Sequence, residues 1–180
     1  MPTDPSKPVL PKCVDARKLV QREQCLDGIL PLASLERLSS AVESVDGAIS
    51  AELRFRRDLQ GHLTVRGKVT GTVELLCQRC LYPVREQFEA PFCWGIVWSE
   101  AQGKSLPKDL DPVIQGGDAL NLHQILEDEI LLNLPIVAYH QEECVSKRRF
   151  HFGESGVEGG GQQENPFKVL ERLKGSSGKS

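Results

Sequence analysis

The strongest constraint on this chain is an apolar/polar alternation with a period of two, sustained from Ile49 to Trp98. Ile49, Ala51, Leu53 and Phe55 alternate with Ser50, Glu52, Arg54 and Arg56. Leu63, Val65, Val69, Val73 and Leu75 alternate with Thr64, Arg66, Lys68, Thr70, Thr72 and Glu74. Val84, Phe88, Phe92, Trp94, Ile96 and Trp98 form a third series. Successive side chains of a strand point to opposite faces, so this pattern demands one buried and one wet face. It predicts an antiparallel β-sheet or partial barrel over about residues 49–98. Gly67 and Gly71 fall on the apolar side of the middle strand, where a bend or bulge is expected. The outward face holds Arg54, Arg56, Arg66, Lys68 and Arg85 but no stacked aromatics, so RNA contact there would be to backbone and shape.

The flanks read as helix and loop. Pro2, Pro5, Pro8 and Pro11 predict an extended N-terminal arm. Asp15 fits an N-cap, with Leu19, Val20 and Leu26 on one side of a short helix. Pro31 suits a first helical turn, and Leu32, Leu35, Leu38 and Val42 repeat at helical spacing. Beyond the strands, residues 99–117 are loop-rich, with Val113-Ile114 as a short added strand. Asn121 and Gln124 form a capping-box pattern ahead of Leu122, Ile125, Leu126 and Ile130, and Pro135 stops a helix near 122–134. Glycines at 153, 156 and 159–161 mark a flexible linker, after which Asn165-Pro166-Phe167 opens a short helix with Leu170 and Leu173 on its apolar side. The expected fold class is therefore α+β: the sheet packed with N-terminal helices and the later helix, with a flexible C-terminal tail. A single domain is expected over 1–152, followed by linker and short amphipathic helix over 153–180.

Charge narrows the function classes. The 180 residues carry a net charge of −3, which argues against a protein that coats nucleic acid by bulk charge. Yet residues 88–146 alone carry −8, between basic blocks of +3 over 49–87 and +3 over 147–180. The mild total is a cancellation, and a local basic face stays open. The opening Met1-Pro2-Thr3-Asp4-Pro5 has no apolar core of a signal peptide. No apolar run approaches the ~18 residues of a membrane helix. The expectation is a cytoplasmic protein with reduced thiols, no membrane association and no DNA partner.

Six cysteines are present, and their placement matters more than their number. Cys77-Gln78-Arg79-Cys80 places a C-x2-C where the long middle strand must turn into the next. Two thiolates at that spacing on a tight turn can grip one metal ion. His140 and Cys144, just beyond the helix-ending Pro135, supply an H-x3-C pair that would complete a tetrahedron. Such a site would be a closed, structural zinc site without an open position for catalysis. Two other readings stay open: buried thiols that merely pack, and a redox pair, although the latter usually accompanies a βαβ pattern rather than strand–turn–strand. Cys13, Cys25 and Cys93 read as packing or surface residues.

Other candidates are weaker. Glu127-Asp128-Glu129 would suit Mg²⁺, but successive helical residues point ~100° apart and do not converge, so a solvated acidic face or a contact to a basic partner is expected. His62, His123 and His151 stand in no catalytic spacing, and a surface role is expected for each. No phosphate-loop, dinucleotide-binding or nucleophile-elbow motif occurs, and nothing calls for an enzyme. Lys147-Arg148-Arg149 beside Phe150-His151-Phe152 has the residue types of phosphate contact and base stacking, and equally those of an ordinary basic loop.

Cys77-Gln78-Arg79-Cys80, Glu127-Asp128-Glu129-Ile130 running to Leu134-Pro135, Cys144, and Asn165-Pro166-Phe167-Lys168-Val169-Leu170 with Leu173-Lys174 together resemble the bacterial YceD family, the large ribosomal RNA subunit accumulation proteins. The resemblance spans essentially the whole chain and supplies no catalytic residue. It implies a cytoplasmic, non-enzymatic factor in synthesis, processing or stability of large-subunit (23S) ribosomal RNA, acting in ribosome biogenesis. The expected partners are large-subunit ribosomal RNA or ribosomal proteins. Arg79, Lys147, Arg148 and Arg149 are the expected contacts to RNA or partner, and the acidic 88–146 block would face a basic protein. The alternative is a protein-binding adaptor for a ribosomal protein or processing enzyme that never touches RNA.

Overall fold

The computed structural model describes residues 7–117 and 119–145. Along the chain the elements are β1 (Cys13–Val14), α1 (Ala16–Gln21), β2 (Cys25–Leu30), α2 (Glu36–Ala41), β3 (Ser44–Val45), β4 (Ile49–Arg57), β5 (Leu63–Leu76), β6 (Pro83–Val97), α3 (Glu100–Lys104), β7 (Asp111–Ile114), β8 (Leu120–Asn121) and α4 (Leu122–Asn133). The architecture is α+β. An open sheet runs β2-β4-β5-β6-β7, with β3 prolonging the line of β4 alongside β5, and β1 pairs separately with β8. It is not a closed barrel.

The three long alternating stretches are β4, β5 and β6, each antiparallel to the next. Their apolar series form one buried face: Leu53, Phe55, Val65, Val69, Val73, Ala90 and Trp94 are all fully shielded from solvent. Phe92 stacks on Trp94 with centroids 4.1 Å apart. Helix α1 packs on β4, and α4 packs on β6 and β5. Side chains of this size contribute roughly 1.5–3 kcal/mol each when buried, so this face dominates the stability.

Three local expectations change. The two expected N-terminal helices are present but a strand separates them: α1 ends at Gln21, and Leu26 lies on the edge strand β2, antiparallel to β4. The chain turns through Glu23 at φ 48, which stops the helix, and Gln24 then accepts from the Phe55 N–H to start the pairing. The Asp15 cap is present and accepts from the Lys18 N–H at 3.1 Å. The free side of β2 is occupied by the proline-rich arm, where Pro8 and Leu10 exchange backbone hydrogen bonds with Ile29. The arm thus blunts this edge as a template for further strands at Ile29.

Gly67 and Gly71 produce no bulge, because the β5–β6 register runs unbroken from Leu63↔Ile96 to Leu76↔Pro83. They make room for aromatic rings instead. A Cβ on Gly67 would run into the Glu52 backbone carbonyl of β4 and meet the Phe92 ring at 2.7 Å, and one on Gly71 would meet Phe88 at 2.8 Å. The sheet is also not wholly antiparallel: β7, which contains Val113-Ile114, runs parallel to β6. The expected C-terminal linker and helix over 153–180 lie outside the described residues.

Candidate metal centre

The turn between β5 and β6 is built by its own backbone. The Leu81 N–H donates to the Cys77 carbonyl at 2.9 Å and the Cys77 N–H to the Tyr82 carbonyl at 3.0 Å. Leu81 takes φ 61, the left-handed conformation that closes so tight a turn. After α4 ends at Leu134 and Pro135, the chain returns to this turn. Cys77 bridges to Ala138, whose carbonyl accepts the Gln78 N–H at 2.9 Å. Arg79 staples the two segments: its Nη2 donates to the His140 carbonyl and, at 3.0 Å, to that of Glu142, while its guanidinium lies over the Tyr139 ring at 5.3 Å.

This arrangement gathers the four side chains that spacing singled out. The ligand atoms of Cys77, Cys80, His140 and Cys144 all lie within 4.8 Å of one another. Cys77 Sγ is 3.7 Å from Cys144 Sγ, and Cys80 Sγ is 3.3 Å from His140 Nδ1. The sulfurs are far outside disulfide bonding distance. Zinc–sulfur bonds of ~2.3 Å and a zinc–nitrogen bond of ~2.0 Å in a tetrahedron place S···S at about 3.8 Å and S···N at about 3.5 Å. Both observed separations are close to these. The other ring nitrogen, His140 Nε2, donates to the Pro83 carbonyl at 3.1 Å, which in the neutral ring makes Nδ1, 3.3 Å from Cys80 Sγ, the nitrogen with a lone pair for a metal.

The electrostatics favour a thiolate at the centre of the turn. Cys77 is fully buried, which alone would raise its pKa, but backbone N–H groups of Cys80, Arg79 and His140 point at its sulfur and, with the Cys80 thiol, bring it down to about 5. Cys144 moves the opposite way, raised by burial and by the neighbouring Cys80 and Cys77. A ready thiolate among three further soft or borderline donors is the chemistry of a zinc, not a magnesium, site. All four donor positions are filled by protein, so a metal here would be structural.

The acidic triplet of α4 has another use than the expected solvated face. Glu127 is only 4% exposed. Its Oε1 accepts the backbone N–H groups of Arg37 and Leu38 at 2.8 and 3.0 Å, and its Oε2 accepts from Arg37 Nε at 2.9 Å. It thereby caps α2, whose own N-cap residue Leu35 has no capping side chain. Asp128 binds the same guanidinium at 2.5 Å, and Glu129 accepts from Trp94 Nε1 at 2.7 Å. Burial pushes the Glu129 carboxyl up; the indole N–H partly opposes this, and Asp111 and Asp128 add to the rise. His123, expected at the surface, is buried and donates from Nε2 to the Leu10 carbonyl at 2.9 Å. His62 bonds Asp58 at 2.8 Å. Lys147, Arg148, Arg149 and His151 lie outside the described residues.

Sequence reasoning singled out the four side chains that cluster but missed the supports around them. The staple role of Arg79 and the Pro83 carbonyl behind His140 have no signal in spacing. The exposed Tyr139 beside Arg79 was not singled out; its adjacency to His140 in the sequence is the one signal that could have found it.

Comparisons with known proteins agree with this whole-chain pattern. A family model described as large ribosomal RNA subunit accumulation protein YceD matches residues 65–174, a stretch that includes all four donors. A curated protein of Haemophilus influenzae named large ribosomal RNA subunit accumulation protein YceD is 34% identical over 168 residues, covering 92% of this chain and 96% of the relative. No solved structure matches the chain.

Proposed function

This chain belongs to the YceD family of large ribosomal RNA subunit accumulation proteins, and from that premise we propose that it is a non-enzymatic cytoplasmic factor in synthesis, processing or stability of large-subunit (23S) ribosomal RNA, acting in ribosome biogenesis by binding. The observation that carries this reading is the match along nearly the full length of both chains, from one end of the fold to the other. The side chains support a binding role: the carboxylates of α4 are engaged in holding the fold, and the Cys/His cluster offers four protein donors and no vacant one. No helix among the described residues is long and apolar enough to cross a membrane.

Within this reading Cys77, Cys80, His140 and Cys144 hold one structural zinc, which clasps the β5–β6 tip to the segment that leaves α4. Arg79 is the staple of that clasp, and Tyr139 lies beside it. Lys147, Arg148 and Arg149, which begin three residues after Cys144, remain proposed contacts to RNA or to a partner. The test is in-cell crosslinking of the full chain, followed by sequencing of bound RNA and pull-downs with and without ribonuclease. Enrichment of 23S fragments that ribonuclease treatment removes is expected. Protein partners that survive ribonuclease with no RNA enriched would replace this reading by the adaptor.

A further inference from the structure

The outer face of the sheet carries arginines that no contact among the described residues uses. Arg54 on β4 lies directly opposite Arg66 on β5, and Arg56 stands two residues along on the same face. Adjacent strands are ~4.8 Å apart and alternate residues of one strand ~6.7 Å apart, so three guanidiniums rise from a single patch. Like charges placed directly opposite destabilise an antiparallel pair. The row ends on Cys25 opposite Arg54 and Cys93 opposite Arg66, so neither flank supplies a counter-charge.

Cations elsewhere on the same sheet are treated differently. Lys68 pairs with Glu89 and Arg85 with Asp46, while Lys7 of the arm pairs with Asp27. Glu52, the nearest acid on this face, stands two residues from Arg54 on the other side from Arg56, opposite Lys68, and makes no ion pair with these arginines. Among the described residues Arg54, Arg56 and Arg66 are exposed, and their side chains have no ion pair, hydrogen bond or ring contact. The repulsion is thus left without an internal counter-ion, and an external polyanion would relieve it. A guanidinium fork suits phosphate oxygens in particular, and the outer-facing β6 residues alongside, Gln87, Glu89, Pro91 and Cys93, include no ring on which a base could stack.

We propose that the outer face of β4–β5 at Arg54, Arg56 and Arg66 binds the phosphate backbone of RNA, holding it by charge and shape without reading its bases. This rests on the reading of the chain as a factor that contacts ribosomal RNA, and it names the surface of that contact. Phosphate contacts of this kind position a nucleic acid and carry no sequence information themselves.

The experiment is a salt titration of full-chain binding to a transcribed 23S fragment, for wild type and for the triple variant Arg54→Gln, Arg56→Gln, Arg66→Gln. Each phosphate contact contributes ~0.7 to the slope of log K against log salt on single strands and ~0.9 on duplex, so the triple variant is expected to bind with a slope shallower by about 2. The matching triple change to lysine is expected to keep the slope. The melting temperature of the glutamine variant should equal or exceed that of wild type, since a repulsion is removed. If the triple variant fails to fold, Arg66→Gln alone should lower the slope by about 0.7. Wild-type affinity and slope in the glutamine variant would overturn the patch while leaving RNA contact intact, and loss of binding on replacing Lys147, Arg148 and Arg149 with alanine would then locate it. A wild-type chain that binds no RNA but retains an acidic protein would overturn both.

Discussion

Glu129 illustrates how a single side chain carries both an interaction and an electrostatic cost. Its carboxylate accepts the Trp94 indole N–H at 2.7 Å, tying α4 to the largest buried ring of the sheet. Burial nevertheless holds its pKa above the ordinary glutamate value, with Asp111 and Asp128 adding to the rise. A group whose folded pKa is raised stabilises most below its unfolded pKa, and that contribution is lost as pH rises through the folded value. Glu129→Gln keeps a carbonyl acceptor for Trp94 and removes the charge. The melting temperature of this variant relative to wild type should therefore increase between about pH 4 and about pH 7. A difference that stays flat or falls over that range would show that the indole bond, rather than desolvation, governs the site.

At the level of elements, the six-residue α2 could not persist alone, since isolated helices that short are unstable in water. It stands because Leu35 and Leu38 are fully buried and because Glu127 reaches across from α4 to cap it. Truncating that carboxylate removes the cap and leaves the buried Leu38 N–H and the partly buried Arg37 N–H unpaired. Glu127→Ala should cost about 2–3 kcal/mol in urea unfolding. Asp128→Ala, at a half-exposed position on the same arginine, should cost less than ~1 kcal/mol. Equal effects at the two positions would show that the guanidinium pair, not the cap, joins the helices. The same scale separates what spacing foretold from what it did not. The periodicity of β4, β5 and β6 is long and strict, so the strands were legible residue by residue. Strand β2 was not, because Leu26 fits a helical stripe as well as a strand, and only pairing with β4 decides between them. The two glycines of β5 were legible as special, but only their neighbours across the strands, the Glu52 carbonyl and the rings of Phe88 and Phe92, show why.

Across the whole molecule, the proposed zinc would close the chain between Cys77-Cys80 and His140-Cys144, with sixty residues from Cys80 to His140. A metal bound only by the folded state adds its binding free energy to stability. Protein purified without a metal-binding tag should contain close to one zinc per chain, and strong chelation should lower its melting temperature by several degrees, at roughly 2–4 °C per kcal/mol for a chain of this size. Cys77→Ser should contain no zinc and be insensitive to the chelator. Metal-free, freshly reduced wild type with an unchanged melt would leave four packing thiol and imidazole groups and no clasp. Taken alone, the amino-acid sequence determined the α+β class, the three long strands and helix α4 with its Asn121 cap, and it singled out the four Cys and His side chains that cluster, because periodicity, capping and ligand spacing are local properties. The tertiary structure alone decided that those donors meet within 4.8 Å, that Glu127 is a strut instead of a solvated acid, and that Arg54 faces Arg66 without a counter-ion. Each of these depends on strand register or on where the chain returns after α4. Those distances are set by packing between residues dozens of positions apart, and no short-range pattern encodes them.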